Sequence, residues 1–208
     1  MTKEEWYSAL EQRHGADLQH EISTACVAVC GLGGLGSNVA ISLARAGVGT
    51  LLLMDYDRVD ISNLHRQHYR VSQLGMCKTE ALKQNLSEIS PYCKVITHTV
   101  KLTEENLSLL ADCGIVCECF DNAECKATLV NGVAERYSEK YIVAASGMSG
   151  LHTGNTIQTK RLGKRLYICG DGMSDVADDG TLFAARVMIC AAHQANTVLR
   201  IIAGKFEV

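Results

Sequence analysis

The sequence has no stretch rich in proline or serine and no low-complexity segment that would separate two domains. Its 208 residues are enough to enclose one sizeable α/β core, so one domain is the simplest organisation. We predict a single domain over 1–208, made of an N-terminal helix (1–22), a core (23–146), and an edge hairpin with a final helix (147–208).

Long charged and long apolar runs are also missing. Twenty basic and 23 acidic residues give a formal charge of −3, with no extended block of one sign, which argues against nucleic-acid and anionic-membrane surfaces. No apolar run approaches the ~18 residues of a membrane span, and the charged N-terminus lacks the apolar core of a signal peptide. We expect a soluble, cytoplasmic protein.

The ten cysteines include no CxxC pair. Most of them lie inside apolar strand and helix patterns, which favours reduced cysteines that pack as small hydrophobes. A zinc site is the alternative for the one cluster, formed by Cys113, Cys117, Cys119 and Cys125. Because Cys117 and Cys119 fall on a strand pattern, we favour core packing and expect no structural zinc.

Short apolar runs alternate with amphipathic helical segments along most of the chain. The predicted strands are 25–30, 50–55, 94–100, 113–120 and 141–146, and the predicted helices are 37–47, 78–90, 103–110 and 122–137. Such alternation is typical of a Rossmann-like, doubly wound, mostly parallel sheet with helices on both faces.

The pattern changes after Gly147. Two strands, 155–159 and 165–169, flank a basic turn and suit an antiparallel hairpin at the sheet edge. The last helix, from Leu182 to about Ala203, is apolar on most faces. We therefore expect this helix to be buried against the sheet or against a second subunit.

A glycine-rich turn, GLGGLG, follows the first predicted strand and opens a helix. Glycines allow a tight turn and close approach of a phosphate, and the helix N-terminus offers free N–H groups. Asp55 lies nineteen residues after Gly36, where a carboxylate binds a ribose diol. These features fit NAD, FAD or ATP equally well. We assign to nucleotide binding Gly31, Gly33, Gly34 and Gly36, with Asp55 and Asp57.

Polar and cationic residues follow the second strand within DYDRVDISNLHRQ. Arg66, with Lys78 at the start of the next helix, supplies charge that neutralises a triphosphate and its leaving pyrophosphate. Asn63 and Gln67 complete the group. The alternatives are a solvated loop arginine and an exposed first-turn lysine. A first turn is the unfavourable helix end for a cation, which favours a functional role for Lys78.

Asp121 ends the fourth predicted strand, in the crevice where open α/β sheets bind ligands. It suits a magnesium ion, an N-cap for the helix beginning at Asn122, or both. Glu118 is a buried carboxylate on the same strand whose partner the sequence does not identify. His65 and His68 lie on a loop without a third ligand, so we interpret them as polar residues beside the nucleotide.

Four segments in this order, GLGGLGSN, DYDRVDISNLHRQ, GMCKTEAL and CFDN, resemble the adenylating domain of ubiquitin-activating-type enzymes, including the ThiF and MoeB sulfur-carrier adenylyltransferases. The resemblance runs from about residue 10 to the C-terminus. AASGM and YICGDG resemble the short ThiF proteins of thiamine biosynthesis. The resemblance implies ATP- and magnesium-dependent adenylation of the C-terminal Gly-Gly carboxylate of a small ubiquitin-like, ThiS-like carrier.

The resemblance also implies residue roles. Asp55 would hold the ribose, Asp121 the magnesium ion, and the phosphates would contact Asn63, Arg66, Gln67 and Lys78. Family members are typically homodimers in which an N-terminal arginine reaches the partner's ATP; Arg13 is the candidate, and a surface helix residue is the alternative.

This sequence departs from many relatives by lacking zinc-binding CxxC pairs and a cysteine in the loop SGMSGLHTGN. The missing cysteine limits the expectation to adenylation without covalent sulfur transfer. Cys169 is a possible substitute, but we favour a packed cysteine.

Three other functions remain open at this stage. A tRNA threonylcarbamoyladenosine dehydratase would share the fold, although the charge balance counts against a tRNA substrate. An NAD- or FAD-dependent oxidoreductase would leave Arg66 and Lys78 without a task. A nucleotide-sensing module that has lost its chemistry would fit the missing cysteines.

Overall fold

The computed structural model describes residues 1–208. A seven-stranded sheet forms its centre, in the order β3-β2-β1-β4-β5-β7-β6. The strands are β1 (Cys26–Cys30), β2 (Thr50–Met54), β3 (Lys94–His98), β4 (Ile115–Glu118), β5 (Tyr141–Ala145), β6 (Gln158–Leu162) and β7 (Leu166–Gly170). Every neighbouring pair is parallel except β6 and β7, which confirms the predicted mostly parallel sheet with an antiparallel edge hairpin.

Seven α-helices accompany the sheet. They are α1 (Lys3–His14), α2 (Ala16–Thr24), α3 (Gly34–Arg45), α4 (Lys78–Ile89), α5 (Ala123–Arg136), α6 (Val176–Asp179) and α7 (Ala184–Ile202). Short 3-10 turns occur at Ile61–Asn63, Val71–Gln73, Glu104–Leu110 and Gly154–Thr156. None of the helices combines the length and apolar character that crossing a membrane requires.

Each central strand is buried on both faces, which explains its continuous apolar run. Val27 and Val29 of β1 face the larger core, whereas Ala28 and Cys30 face the smaller one. The larger core includes the buried faces of α3, α4 and α7, and the smaller one includes that of α5. Because side chains alternate between the two faces along a strand, each central strand contributes side chains to both cores.

The strand order creates a crevice at the carboxyl ends of β1 and β4. From β1 the chain moves outward to β2 and β3, and then returns to place β4 on the other side of β1. The connections that leave β1 and β4 therefore diverge, and this switch point is where open α/β sheets bind ligands. The glycine turn follows β1, and Asp121 follows β4.

Two predicted elements need correction. The N-terminal helix is broken at Gly15, whose φ of 85° lies outside the helical region, so α1 and α2 replace one helix. The predicted strand 155–159 is wrong, because residues Gly154–Thr156 form a 3-10 turn that Thr153 caps. The strand begins at Gln158 and includes part of the predicted basic turn, while the chain reverses at Gly163, where φ is 67°.

We expect Leu43→Ala to lower the free energy of unfolding by about 2–5 kcal/mol, because Leu43 is fully buried in α3, which packs against α7. Leu162→Ala is the matched control: it deletes the same atoms from an edge-strand side chain that is 50% exposed. Its cost should stay within about 0.5 kcal/mol. Urea denaturation of both variants measures the difference, and equal losses would contradict this assignment of the core.

Candidate nucleotide-binding site

The glycine turn leaves no space for side chains at two of its positions. Gly31 has a φ of 88°, and a Cβ there would lie 2.7 Å from the Cys119 carbonyl oxygen. A Cβ on Gly36 would lie 1.8 Å from the Gly31 carbonyl oxygen. The tight turn brings α3 directly onto β1, and no side chain caps the first turn of α3. A free helix N-terminus of this kind suits an anion.

The Asp55 carboxylate joins this turn to the end of β2. It accepts hydrogen bonds from the Leu32 backbone N–H at 2.6 Å and from the Asp57 backbone N–H at 2.8 Å. The residue is only 7% exposed, and burial raises the pKa of Asp55, while Lys78 and the two N–H groups act in the opposite direction. Each carboxylate oxygen can accept a second hydrogen bond, so the group can still bind a diol.

Lys78 is buried, which excludes the alternative of an exposed first-turn lysine. Its side chain is 7% exposed, and Nζ donates to Asp57 Oδ2 at 2.8 Å. The backbone fixes the same geometry, because the Lys78 N–H donates to the Asp57 carbonyl oxygen at 2.9 Å. Asp57 remains 48% exposed, so the ion pair lies at the surface of the site rather than deep in the core.

Arg66 and Gln67 lie against the glycine turn. A Cβ on Gly34 would lie 3.4 Å from Arg66 Cγ, and one on Gly33 would lie 3.7 Å from Gln67 Nε2. Arg66 Nε and Gln67 Oε1 are buried without a hydrogen-bond partner. Such atoms are rare and costly, so both are groups that a ligand could satisfy.

Two contacts that the sequence did not predict hold this segment in place. The Tyr69 hydroxyl donates to the carbonyl oxygen of Leu32, a residue of the glycine turn, at 2.7 Å. His68 Nε2 lies 2.8 Å from Asn38 Oδ1 of α3, and burial lowers the pKa of this imidazole. The only available signal for Tyr69 and Asn38 was their nearness to the two motifs. His68 is therefore a residue that anchors the loop.

Asn63 is used within its own turn. Its side chain accepts from the Asp60 backbone N–H at 3.2 Å and caps the 3-10 turn Ile61–Asn63. The carbonyl oxygen of Ser62 in the same turn accepts a hydrogen bond from Arg66 at 3.2 Å. Asn63 thus supports the loop that carries Arg66, and its side chain forms no hydrogen bond with the glycine turn.

Asp121 is exposed and makes no side-chain hydrogen bond. The alternative that it caps the following helix is excluded, because Asn122 occupies the N-cap position and accepts from the Cys125 backbone N–H at 3.0 Å. Asp121 follows Cys119 by two residues, and the Cys119 carbonyl lies against Gly31. Asp121 therefore follows the strand end that packs against the glycine turn, and its carboxylate has no competing hydrogen bond.

Glu118 has a partner that the sequence did not identify. Lys126 Nζ, one turn into α5, lies 3.0 Å and 3.1 Å from the two carboxylate oxygens, and the Phe120 backbone N–H donates at 2.7 Å. Burial raises the pKa of Glu118, and Lys126 opposes that effect. Since Lys126 also donates to the Ala145 carbonyl oxygen at 3.0 Å, the pair joins the ends of β4 and β5 and shapes the turn before Asp121.

Among the remaining predicted positions, His65 lies beside the crevice, with Nε2 3.3 Å from Arg66 Nη1. Arg13 is exposed in the last turn of α1. Cys169 is fully buried in the larger core, where burial raises the pKa of its thiol. His65 Nε2 lies 3.3 Å from the Leu182 carbonyl oxygen. No group of three or more histidine, cysteine, aspartate or glutamate side chains is placed to hold a metal ion.

The chain matches a known protein family over almost its whole length. The protein-family model described as the ThiF family matches residues 7–208 of this chain. Adenylyltransferase and sulfurtransferase UBA4 of Candida glabrata is 41% identical over 132 residues, which are 62% of this chain and 30% of that protein. Ubiquitin-like modifier-activating enzyme 5 of Culex quinquefasciatus is 32% identical over 210 residues, which are 93% of this chain and 51% of that protein.

A tRNA threonylcarbamoyladenosine dehydratase of Bacillus subtilis is 39% identical over 110 residues, or 52% of this chain and 43% of that protein. This chain spans between 30% and 51% of the length of these three relatives. Among solved structures, the E. coli dehydratase TcdA in complex with ATP superposes with a TM-score of 0.84 at 21% identity, covering 96% of this chain and 94% of that one. This likeness establishes the fold.

We expect Gly36→Ala to lower the melting temperature by at least about 6 °C, because the added Cβ overlaps the Gly31 carbonyl and overpacking here costs about 3 kcal/mol. Gly33→Ala, in the same turn, should change it by less than about 3 °C, since its Cβ meets only Gln67 Nε2 at 3.7 Å. Thermal unfolding followed by circular dichroism tests both variants. Similar melting temperatures for the two variants would contradict the close packing of Gly36 against the Gly31 carbonyl.

Proposed function

This chain belongs to the ThiF family, and from that premise we propose that it is an adenylyltransferase, which transfers the AMP moiety of ATP to a carboxylate and releases pyrophosphate. The observation that carries the proposal is the placement of Arg66 and Gln67 over the glycine turn with buried, unpartnered polar atoms. The names of UBA4 as an adenylyltransferase and of TcdA as an ATP complex support it.

The geometry suits this reaction because a carboxylate and an α-phosphate are both anions. Catalysis then depends on screening their repulsion and on stabilising the leaving pyrophosphate, which positioned cations and N–H groups perform. Arg66, Lys78 and the N-terminus of α3 supply those groups, and Asp55 would hold the ribose. The reaction needs no serine, cysteine or histidine nucleophile.

Asp121 fits a magnesium ion, because its carboxylate is exposed at the crevice and forms no competing hydrogen bond. Magnesium favours one or two protein carboxylates together with substrate phosphates and water, so one free aspartate is an adequate protein ligand. When bound, the ion would offset charge on the phosphate oxygens. Asp121 would then determine the position of the magnesium ion beside the phosphates.

We propose as the acid the C-terminal Gly-Gly carboxylate of a small ubiquitin-like, ThiS-like sulfur carrier, in thiazole formation for thiamine. The segments AASGM and YICGDG support this choice. The names of two relatives also support it, since one is called a sulfurtransferase and the other a ubiquitin-like modifier-activating enzyme. We further propose a homodimer in which Arg13 of one subunit approaches the ATP of the other; the exposed position of Arg13 is compatible with this role.

A tRNA threonylcarbamoyladenosine dehydratase-like activity is the second candidate. The 39% identity to the Bacillus subtilis enzyme of that name over 110 residues favours it. The formal charge of −3 counts against it, because tRNA binding depends on basic surface. Both candidates use the same ATP chemistry and differ in the acid that they activate.

The central test is ATP–pyrophosphate exchange, measured with and without a purified carrier that ends in Gly-Gly. We expect exchange that requires the carrier and disappears when its terminal glycine is removed, because the carboxylate must reach the α-phosphate. Exchange that depends instead on threonylcarbamoyl-modified tRNA would identify the second candidate. Absence of exchange with either acid, together with tight NAD binding, would contradict adenylation.

We expect Arg66→Ala and Lys78→Ala each to lower the exchange rate by on the order of a hundredfold or more, since each removes a cation from the developing phosphate charge. Arg70→Ala and Lys83→Ala are matched controls: Arg70 is exposed and pairs with Glu88, and Lys83 is exposed on the same helix as Lys78. Circular dichroism checks that all four variants fold. Full activity in both site variants would remove the assigned phosphate roles.

A further inference from the structure

Cys26 and Cys113 form a thiol pair at the amino ends of β1 and β4, whereas the glycine turn lies at the carboxyl end of β1. Their sulfur atoms lie 3.0 Å apart, although 87 positions separate them in the sequence. Cys26 is the first residue of β1, and Cys113 precedes β4, the parallel neighbour of β1. The amino ends of the two strands therefore bring the sulfurs together. No other two cysteine sulfurs in the structure make such a contact.

The two thiols differ in access to solvent. Cys113 is fully buried in the smaller core, whereas Cys26 is partly exposed at its edge. A small reagent can thus reach Cys26 first, and Cys113 then lies within contact of the modified sulfur. This arrangement of an accessible thiol beside a buried one suits a stepwise exchange rather than simple packing.

The charges around the pair favour reaction at Cys26. The hydrogen bond with Cys113, together with Lys140 and Lys94, lowers the pKa of Cys26, while burial and Asp112 act against this shift. The thiolate is the nucleophilic form of cysteine. Lys140 Nζ also donates to the Cys113 carbonyl oxygen at 2.8 Å, which holds its ammonium beside the pair.

We propose that Cys26 and Cys113 are an oxidation site that forms a reversible disulfide with a low-molecular-weight disulfide such as oxidised glutathione as the oxidant. The sulfurs need to approach from 3.0 Å to the ~2.05 Å of a disulfide bond, a shift that strand ends can accommodate. The site is independent of the adenylation chemistry, because it lies at the amino ends of strands whose carboxyl ends form the crevice.

The reaction balances in two exchange steps. The Cys26 thiolate attacks one sulfur of glutathione disulfide, whose S–S bond breaks and releases one glutathione thiolate. Cys113 then loses its thiol proton and attacks the Cys26 sulfur, expelling the second glutathione. The two protein thiols lose two electrons and two protons, and one glutathione disulfide becomes two glutathione thiols.

The test treats the full chain with glutathione disulfide, blocks the remaining thiols with iodoacetamide, and analyses the protein by intact mass and peptide mapping. We expect two hydrogen atoms to be lost, eight of the ten cysteines to stay available for alkylation after unfolding, and one peptide that links Cys26 to Cys113. Dithiothreitol should restore all ten thiols. ATP binding should be the same for the oxidised and reduced forms.

The matched variants are Cys26→Ser, which should abolish the cross-link, and Cys93→Ser and Cys125→Ser, which alter partly exposed cysteines without a sulfur neighbour and should retain it. The test relies on Cys26→Ser rather than on a change at Cys113, because Cys113 is buried. Cys26 lies at a partly exposed strand end, where serine is tolerated more easily. A lasting glutathione adduct on Cys26, a link between other cysteines, or an unreacted protein would each overturn the proposal.

Discussion

The Asp55 carboxylate is the contact on which the rest of the crevice depends. By accepting from the Leu32 and Asp57 backbone N–H groups, it ties the glycine turn after β1 to the chain that leaves β2. Tyr69 holds Leu32 from the other side through its carbonyl, and Asp57 in turn orients Lys78. Because the carboxylate is buried, its charge is stabilised by these N–H groups and by Lys78 rather than by water, so the loops and the charge support one another.

The polar groups of the crevice are held in position at a cost in the stability of the fold. Arg66 Nε and Gln67 Oε1 are buried without partners, although unmade hydrogen bonds of this kind destabilise a fold. The segment stays in place because His68 contacts Asn38 and Ser37 at the first turns of α3. Polar groups fixed before a ligand arrives need little rearrangement during the reaction, which is how fixed dipoles and cations stabilise developing charge. The unsatisfied atoms are thus consistent with a site shaped for a ligand.

The sequence predicted the parallel sheet and the crevice because buried strands are continuous apolar runs and because a glycine turn leaves few conformations open. It misplaced the strand QTKRL, which is mostly exposed and carries no apolar signal. The ion pairs of Lys78 with Asp57 and of Glu118 with Lys126 are not readable from spacing, since the loops that join the partners have no period. Capping remained an open alternative for Asp121, rather than a role of Asn122, because both residue types cap helices and they are adjacent.

The charges at the crevice bear on the magnesium ion that we propose beside the triphosphate. Three carboxylates, Asp55, Asp57 and Asp121, lie at the ends of β2 and β4, and two cationic side chains, Arg66 and Lys78, oppose them. Lys78 is already paired with Asp57, so much of its charge is compensated before a ligand binds, whereas Arg66 has no carboxylate partner. The side chains alone therefore leave an excess of negative charge beside the α3 N-terminus. This balance supports the proposal of a magnesium ion at Asp121, which would supply a further positive charge to a bound polyphosphate.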